Sequence, residues 1–284
     1  MAKSIIPWFG GKHRLAPKIA KLIPEDHTIY CEAFGGAASV LMAKKPSTVE
    51  VYNDVNEGLF SLFSVLKDPA HFAKFYAQLQ LTSYSRREFD KAEERWKCST
   101  DIVERALAFY ILARQSFAAT GKTWGYDRAG SKPRSFLNSL NELPKIHERI
   151  DGVTVDNNDW RKVIKAYDKP ETVFYLDPPY VPETRKSGSY HHEITIDDHK
   201  DLVNRLLKMQ GRALLSGYGH EVYKPLEDHG WLKISWEHSC TAAGHTRNTK
   251  MSVEEQSQAN KRIECLWVHP GIEVTSGMLN SVGG

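Results

Sequence analysis

Thr172-Val173-Phe174-Tyr175-Leu176-Asp177-Pro178-Pro179-Tyr180 sets the fold class of this chain. Its first five residues are rich in β-branched and aromatic side chains and run without alternation, the pattern of a strand buried on both faces of a parallel sheet. Asp177 stands where that strand ends, at the edge where open α/β sheets bind their ligands. The two prolines stiffen the backbone there, so the Asp177 carboxylate and the Pro178 carbonyl can converge on one amino nitrogen, with Tyr180 offering an aromatic face. Such acceptors suit an amine conjugated to a nucleobase ring, whose lone pair must be drawn out of the ring before it can attack. Taken alone, the same tetrad also fits a strand closed by a turn and a core tyrosine.

Upstream, Thr28 to Glu32 reads as a short apolar strand and Ala37 to Ala43 as a helix, joined by small residues through Gly35 and Gly36 that let a ligand approach the backbone. This is not the GxGxxG dinucleotide pattern. The next strand, Val49 to Tyr52, is followed by Asn53 and Asp54, which puts an acid where nucleotide-binding sheets hold a ribose hydroxyl. A helix from Gly58 to Leu66 completes a βαβα start. From about Asp68 to His147 strand signals fade and helical spacing takes over, as in Ile102 to Gln115. The α/β rhythm returns with strands at Val153 to Val155, Thr172 to Leu176, Ala213 to Ser216, Leu232 to Trp236 and Ile263 to Val268, and a helix from Asp198 to Met209. The polar run from Thr241 to Lys261 reads as a loop near the ligand edge.

With 284 residues, 41% apolar and 26% charged, the chain can bury a full core. It has no apolar run of the roughly 18 to 20 residues that cross a bilayer and no secretory h-region, so a cytoplasmic location is expected. Cys31, Cys98, Cys240 and Cys265 are far apart, which argues against both a zinc module and a disulfide framework. His191-His192-Glu193 lacks a second ligand pair, and no metal is expected. A net charge of +3 permits a polyanionic partner without requiring one.

Trp8-Phe9-Gly10-Gly11-Lys12, the Glu32 to Ser39 loop, Asp54 and Asp177 to Tyr180, in this order, resemble the Dam-type DNA adenine methyltransferases. That resemblance spans most of the chain. It implies an α/β, Rossmann-like methyltransferase sheet with an inserted helical target-recognition domain, S-adenosylmethionine as cofactor, double-stranded DNA as substrate and a flipped adenine as acceptor. Residues 1–57 and 150–271 would form the catalytic domain, 58–149 the recognition domain with a DNA-reading hairpin, and 272–284 a tail. Asp177, Pro178 and Tyr180 would be catalytic. Trp8, Lys12, Glu32, Phe34, Gly35, Asp54, Asp159, Trp160 and Asp177 would bind the cofactor. Among them Lys12 would meet the methionine carboxylate, Asp54 the ribose, and Asp159 and Trp160 the adenine ring. Asp159 followed by Trp160 also fits a helix N-cap and a core aromatic.

Ser116 to Arg134 mixes glycine, basic and aromatic residues at the place of the family's hairpin. Arg114, Lys122, Trp124, Tyr126, Arg128, Lys132 and Arg134 are the candidate DNA contacts, with Lys186 from the polar loop after Tyr180. Pro7 stands where GATC-methylating members carry a base-contacting lysine, and Lys122-Thr123-Trp124-Gly125-Tyr126 replaces their hairpin sequence, so a target other than GATC is expected. Two alternatives remain open at this level: methylation of cytosine N4, for which the family usually has Ser in place of Asp177, and a DNA-binding module without catalysis. The sequence leaves the oligomeric state between monomer and weak dimer.

Overall fold

The computed structural model describes residues 5–117, 120–127, 130–184, 192–239 and 261–282. Seven strands form one sheet in the order β3-β2-β1-β4-β5-β7-β6, comprising β1 (Ile29–Glu32), β2 (Val49–Asn53), β3 (Val153–Asp156), β4 (Thr172–Leu176), β5 (Arg212–Tyr218), β6 (Leu232–Ser239) and β7 (Lys261–Val268). The first five strands are parallel. β7 runs antiparallel between β5 and β6.

Side chains alternate across each strand, and both faces are buried. Tyr30, Tyr52, Tyr175, Leu214 and Leu266 point to one face. Cys31, Val51, Phe174, Leu215 and Trp267 point to the other. The second face is covered by α9 (Trp160–Tyr167), α10 (Ile196–Leu206) and α11 (Lys224–Asp228). The first carries α1 (Ala16–Ala20) and α2 (Ser39–Ala43), then the helices between β2 and β3: α3 (Glu57–Lys67), α4 (Pro69–Gln80), α5 (Arg86–Cys98), α6 (Ile102–Gln115), α7 (Lys132–Leu140) and α8 (Leu143–Ile150). One apolar core runs from Tyr52 and Val153 of the sheet through Leu59 and Phe63 of α3 to Tyr110 of α6.

Local chemistry sets the helix ends. Asn56 accepts from the amides of Gly58 and Leu59 at 2.9 and 3.1 Å and starts α3. Asp68 closes α3 and caps α4, accepting from the His71 amide at 2.8 Å ahead of Pro69. A capping box between Thr195 and Asp198 starts α10 two residues before the expected Asp198, and the helix ends at Leu206 instead of Met209. α2 begins at Ser39 instead of Ala37, because Gly36 and Ala38 hold left-handed backbone at φ 50° and 52°.

Within 116–134, the described residues show an isolated antiparallel bridge between Ser116 and Trp124, and Lys132 and Arg134 lie on the first turn of α7. In the C-terminal segment Ile272 is buried, and α12 (Ser276–Val282) lies against α1. The polar run before β7 and the segment with His191 lie outside the described residues. No helix among the described residues is long and apolar enough to cross a membrane.

α3 seats on α6 through Gly58: a Cβ there would come within 2.2 Å of the Phe109 ring. Gly58→Ala is therefore expected to destabilise the fold by about 1–3 kcal/mol through overpacking. A shift in the urea midpoint of the variant, relieved by adding Phe109→Leu, checks this.

Candidate active site

The connections from β1 and β4 leave the sheet in opposite directions, so a crevice opens where these neighbours end. A cavity of about 420 Å³ occupies it. Trp8, Lys12, Glu32, Phe34, Gly35, Asp54, Asp159, Trp160 and Asp177 all line that cavity, although they come from five separate stretches of chain. Pro179 also lines it, whereas Pro178 and Tyr180 are buried.

Loop 33–38 is shaped by close approach. The Gly35 amide donates to the Asn53 carbonyl at 2.8 Å, and a Cβ on Gly35 would sit 2.2 Å from the Tyr52 ring. The Tyr52 hydroxyl donates to the Gly36 carbonyl at 2.7 Å. Asp54 accepts from the amides of Gly36 and Asn56 at 2.9 and 2.8 Å, and burial raises its carboxyl against these bonds. Asn53, buried at the end of β2, donates to the carbonyls of Ala33 and Asn158 and accepts from the Asn158 amide, which joins the loops after β1, β2 and β3. The sequence reading passed over Asn53. A polar residue closing an otherwise apolar strand was its signal.

Lys12 is buried. Its ammonium donates to the Gly10 carbonyl at 2.8 Å, lies 2.9 Å from Asp177 Oδ1 and 3.3 Å from Glu264 Oε1, and sits over the Tyr180 ring at 4.8 Å. Burial pushes the Asp177 carboxyl up, and the Lys12 charge pulls it back down. The Tyr180 hydroxyl donates to Glu264, and its ring meets Tyr218 edge-on at 4.6 Å. Glu264 was also missed, although an acid at an inward position of the apolar strand Ile263 to Val268 is a legible anomaly.

Glu32 is buried, and Oε1 accepts from both the Tyr30 hydroxyl and the Leu41 amide at 2.7 Å. Burial dominates over these bonds and pushes the carboxyl up to about 8. Asp159 caps α9 through the Arg161 amide at 2.8 Å while lining the cavity, so its two readings are compatible. Trp160 is buried between Phe34, 5.8 Å away, and the Arg161 guanidinium at 4.3 Å. Arg161 itself joins Asp198 and Asp201 of α10.

Of the candidate DNA contacts, Lys122, Tyr126 and Arg134 are exposed and Lys132 is half-buried. Arg114 is half-buried, with its guanidinium donating to the Ile5 carbonyl and lying over the Tyr110 ring. Trp124 packs on Tyr84 at 5.6 Å and against the core. Arg128 and Lys186 lie outside the described residues. Arg86, which the sequence reading did not single out, stacks on both Trp124 and Tyr126 at 5.2 and 5.1 Å. Among the described residues no group of acids, histidines and cysteines has the geometry of a metal site.

Residues 8–234 match the family described as D12 class N6 adenine-specific DNA methyltransferase, a match that ends within β6 and before β7. The chain is 26% identical over 257 residues to a type II methyltransferase, M1.LlaDCHI, of Lactococcus lactis subsp. cremoris, covering 78% of this chain and 84% of that protein. It is 26% identical over 238 residues to a DNA adenine methylase of Haemophilus influenzae, covering 75% and 77%. It is 27% identical over 225 residues to a DNA N-6-adenine-methyltransferase of Escherichia phage P1, covering 74% of this chain and 29% of that protein.

Because the folded state holds a proton on Glu32 up to about pH 8, its contribution to stability is complete below the ordinary carboxylate range and is lost as pH rises through about 8. Glu32→Gln mimics the protonated form. Its melting temperature, followed from pH 5 to 9, is expected to gain on the wild type as pH rises and then to hold a constant lead. An unchanging difference across that range would show that Glu32 is ionised throughout.

Proposed function

The chain belongs to the D12 class of N6 adenine-specific DNA methyltransferases and methylates adenine in DNA, and we propose that S-adenosylmethionine is its methyl donor and the cavity between β1 and β4 its active site. The convergence of nine expected site residues on one cavity carries this reading. The donor set fits a nucleoside bearing an amino-acid tail. Asp54 suits vicinal hydroxyls, Phe34 and Trp160 offer apolar faces for a purine, and Ser39 Oγ is buried beside the cavity without a hydrogen-bond partner among the described residues. When bound, the cofactor supplies an electrophilic methyl on a sulfonium.

The protein's own work falls to the end of β4. Asp177 accepts one hydrogen of the adenine amine and the Pro178 carbonyl the other, which draws the nitrogen toward tetrahedral geometry. Lys12 opposes the rise that burial imposes on the Asp177 carboxyl and so favours its ionised, accepting form. As the methyl leaves sulfur and joins nitrogen, the nitrogen becomes positive and sheds a proton, which Asp177, accepting from the amine in this reading, is placed to take. Tyr180 supports the flipped base. Lys122, Arg128, Lys132, Arg134 and Lys186 hold phosphates in this reading, while Tyr126, braced by Arg86, faces the duplex. Residues 1–57 with 150–271 act as the catalytic part and 58–149 as the recognition part.

Asp177→Ala is expected to lower methyl transfer at least about a hundredfold, the loss typical for a group acting on developing charge. Nucleosides released from treated DNA, quantified for N6-methyldeoxyadenosine by mass spectrometry, measure it. Turnover above a tenth of wild type would remove Asp177 from the chemistry.

The preferred target is expected to differ from GATC, because Pro7 is exposed at the cavity's N-terminal flank and has no ammonium donor to offer a base. One bidentate base contact is worth about 1–3 kcal/mol, so its loss shifts preference by an order of magnitude or more. Methylating a pool of random duplexes and sequencing the modified adenines reads the site directly. A dominant GATC motif would refute the inference from Pro7.

A further inference from the structure

Glu264 sits on β7, which pairs antiparallel with β5, so Glu264 faces Tyr218 at the carboxyl end of the parallel strands. A parallel strand would bring its last residues to that edge, whereas β7 brings residues from its first half. Along β7, Leu266 and Val268 enter the same core as Tyr175, while Cys265 and Trp267 enter the opposite one, and strand alternation therefore turns Glu264 toward Asp177. Glu264 as a whole is 6% exposed. A buried charge persists only where partners compensate it, and here the partners are the Tyr180 hydroxyl and the Lys12 ammonium.

We propose that Glu264 is a positioning residue for methyl transfer: it fixes the Tyr180 ring by its hydroxyl and takes a share of the Lys12 ammonium, leaving Asp177 free to accept from the target amine. The inference rests on the reading of Asp177 given above. Two acids divide one ammonium, at 2.9 Å for Asp177 and 3.3 Å for Glu264. Without the second acid Asp177 would no longer share the Lys12 charge with Glu264, which would make Asp177 a weaker acceptor. The groups acting on Asp177 are Lys12 from the N-terminal segment, Glu264 from β7, Tyr180 after β4, Tyr175 on β4 and Glu32 on β1. Of these, Lys12 and, less strongly, the Tyr180 hydroxyl lower its carboxyl and Glu264 raises it. Tyr180 is tied at both ends as well, with its hydroxyl on Glu264 and its ring against Tyr218. One side chain thereby sets the ring that would support the base and the charge balance of the acid that would act on it.

Glu264→Gln keeps an acceptor for the Tyr180 hydroxyl and removes the charge. Measured on the full chain with duplex DNA and S-adenosylmethionine, it is expected to lower kcat at least about tenfold with KM for both substrates within about twofold. The acid limb of kcat should also move to lower pH, because Asp177 loses a like charge and gains more of Lys12. Wild-type kcat, or an equal loss at every pH with no movement of the limb, would overturn the proposal. Tyr180→Phe provides the second test should Glu264→Gln fail to fold. It is expected to lower kcat at constant KM and to move the acid limb to higher pH, opposite to Glu264→Gln, because Asp177 loses the hydroxyl that lowers its carboxyl, and wild-type kcat would count against the role of Glu264 in fixing the ring. Asp177→Ala, assayed in parallel, separates the two readings: retained activity there would remove the premise, whereas loss there with wild-type Glu264→Gln would remove only the role of Glu264.

Discussion

Between β1 and β4 the chain turns away in opposite directions, and the gap that this reversal leaves above Glu32 and Asp177 is the constraint around which the site is organised. A crevice at that point is a property of strand order and not of any side chain. Its walls come from loops that must not fill it. Gly35 therefore packs flush on Tyr52, and Asn53 draws the three neighbouring loops together with its amide. The N-terminal segment closes one side, anchored by Lys12 on the end of β4.

The face of the sheet below the crevice carries a polar row within an apolar core. Tyr30 bonds Glu32, Tyr175 bonds Ser216, and Tyr180 bonds Glu264. Each pair includes a residue toward the carboxyl end of the parallel strands, and each member has a partner, as burial demands. The consequence is electrostatic. Burial raises Glu32, Asp54 and Asp177 together, and Lys12 is the cation beside Asp177 that opposes the rise there. Methyl transfer to an amine needs an acceptor that is ionised yet not consumed by its counterion, and a shared lysine is one way to meet both demands.

Much of this was legible in the sequence. TVFYL followed by an acid and two prolines marks a buried strand that ends at the cavity. The small residues after Glu32 mark a backbone that something approaches closely, and Asp54 marks a second strand end. These are local signals, because strand burial and turn composition depend on neighbours in sequence. Helix ends were less legible. α10 starts at a capping box whose geometry outweighs the apolar spacing, and α2 waits until the left-handed residues have passed. The aromatic stretch after α6 illustrates the same limit, since Trp124, for all its affinity to a base-stacking composition, packs on Tyr84 and the core.

The sequence by itself determined the class of sheet, the strands at its centre and the edge at which the cavity opens, since all three follow from short-range patterns. The tertiary structure alone decided that Lys12 faces Asp177, that Asn53 is a joint, that Arg86 braces Tyr126 and that Glu264 reaches the site. The physical reason is that these contacts join residues up to 252 positions apart, as between Lys12 and Glu264. For Lys12, Asn53 and Glu264 the meeting depends on strand order and on the antiparallel sense of β7, and for Arg86 on how α5 packs against α6, none of which hydrophobic periodicity along one segment encodes.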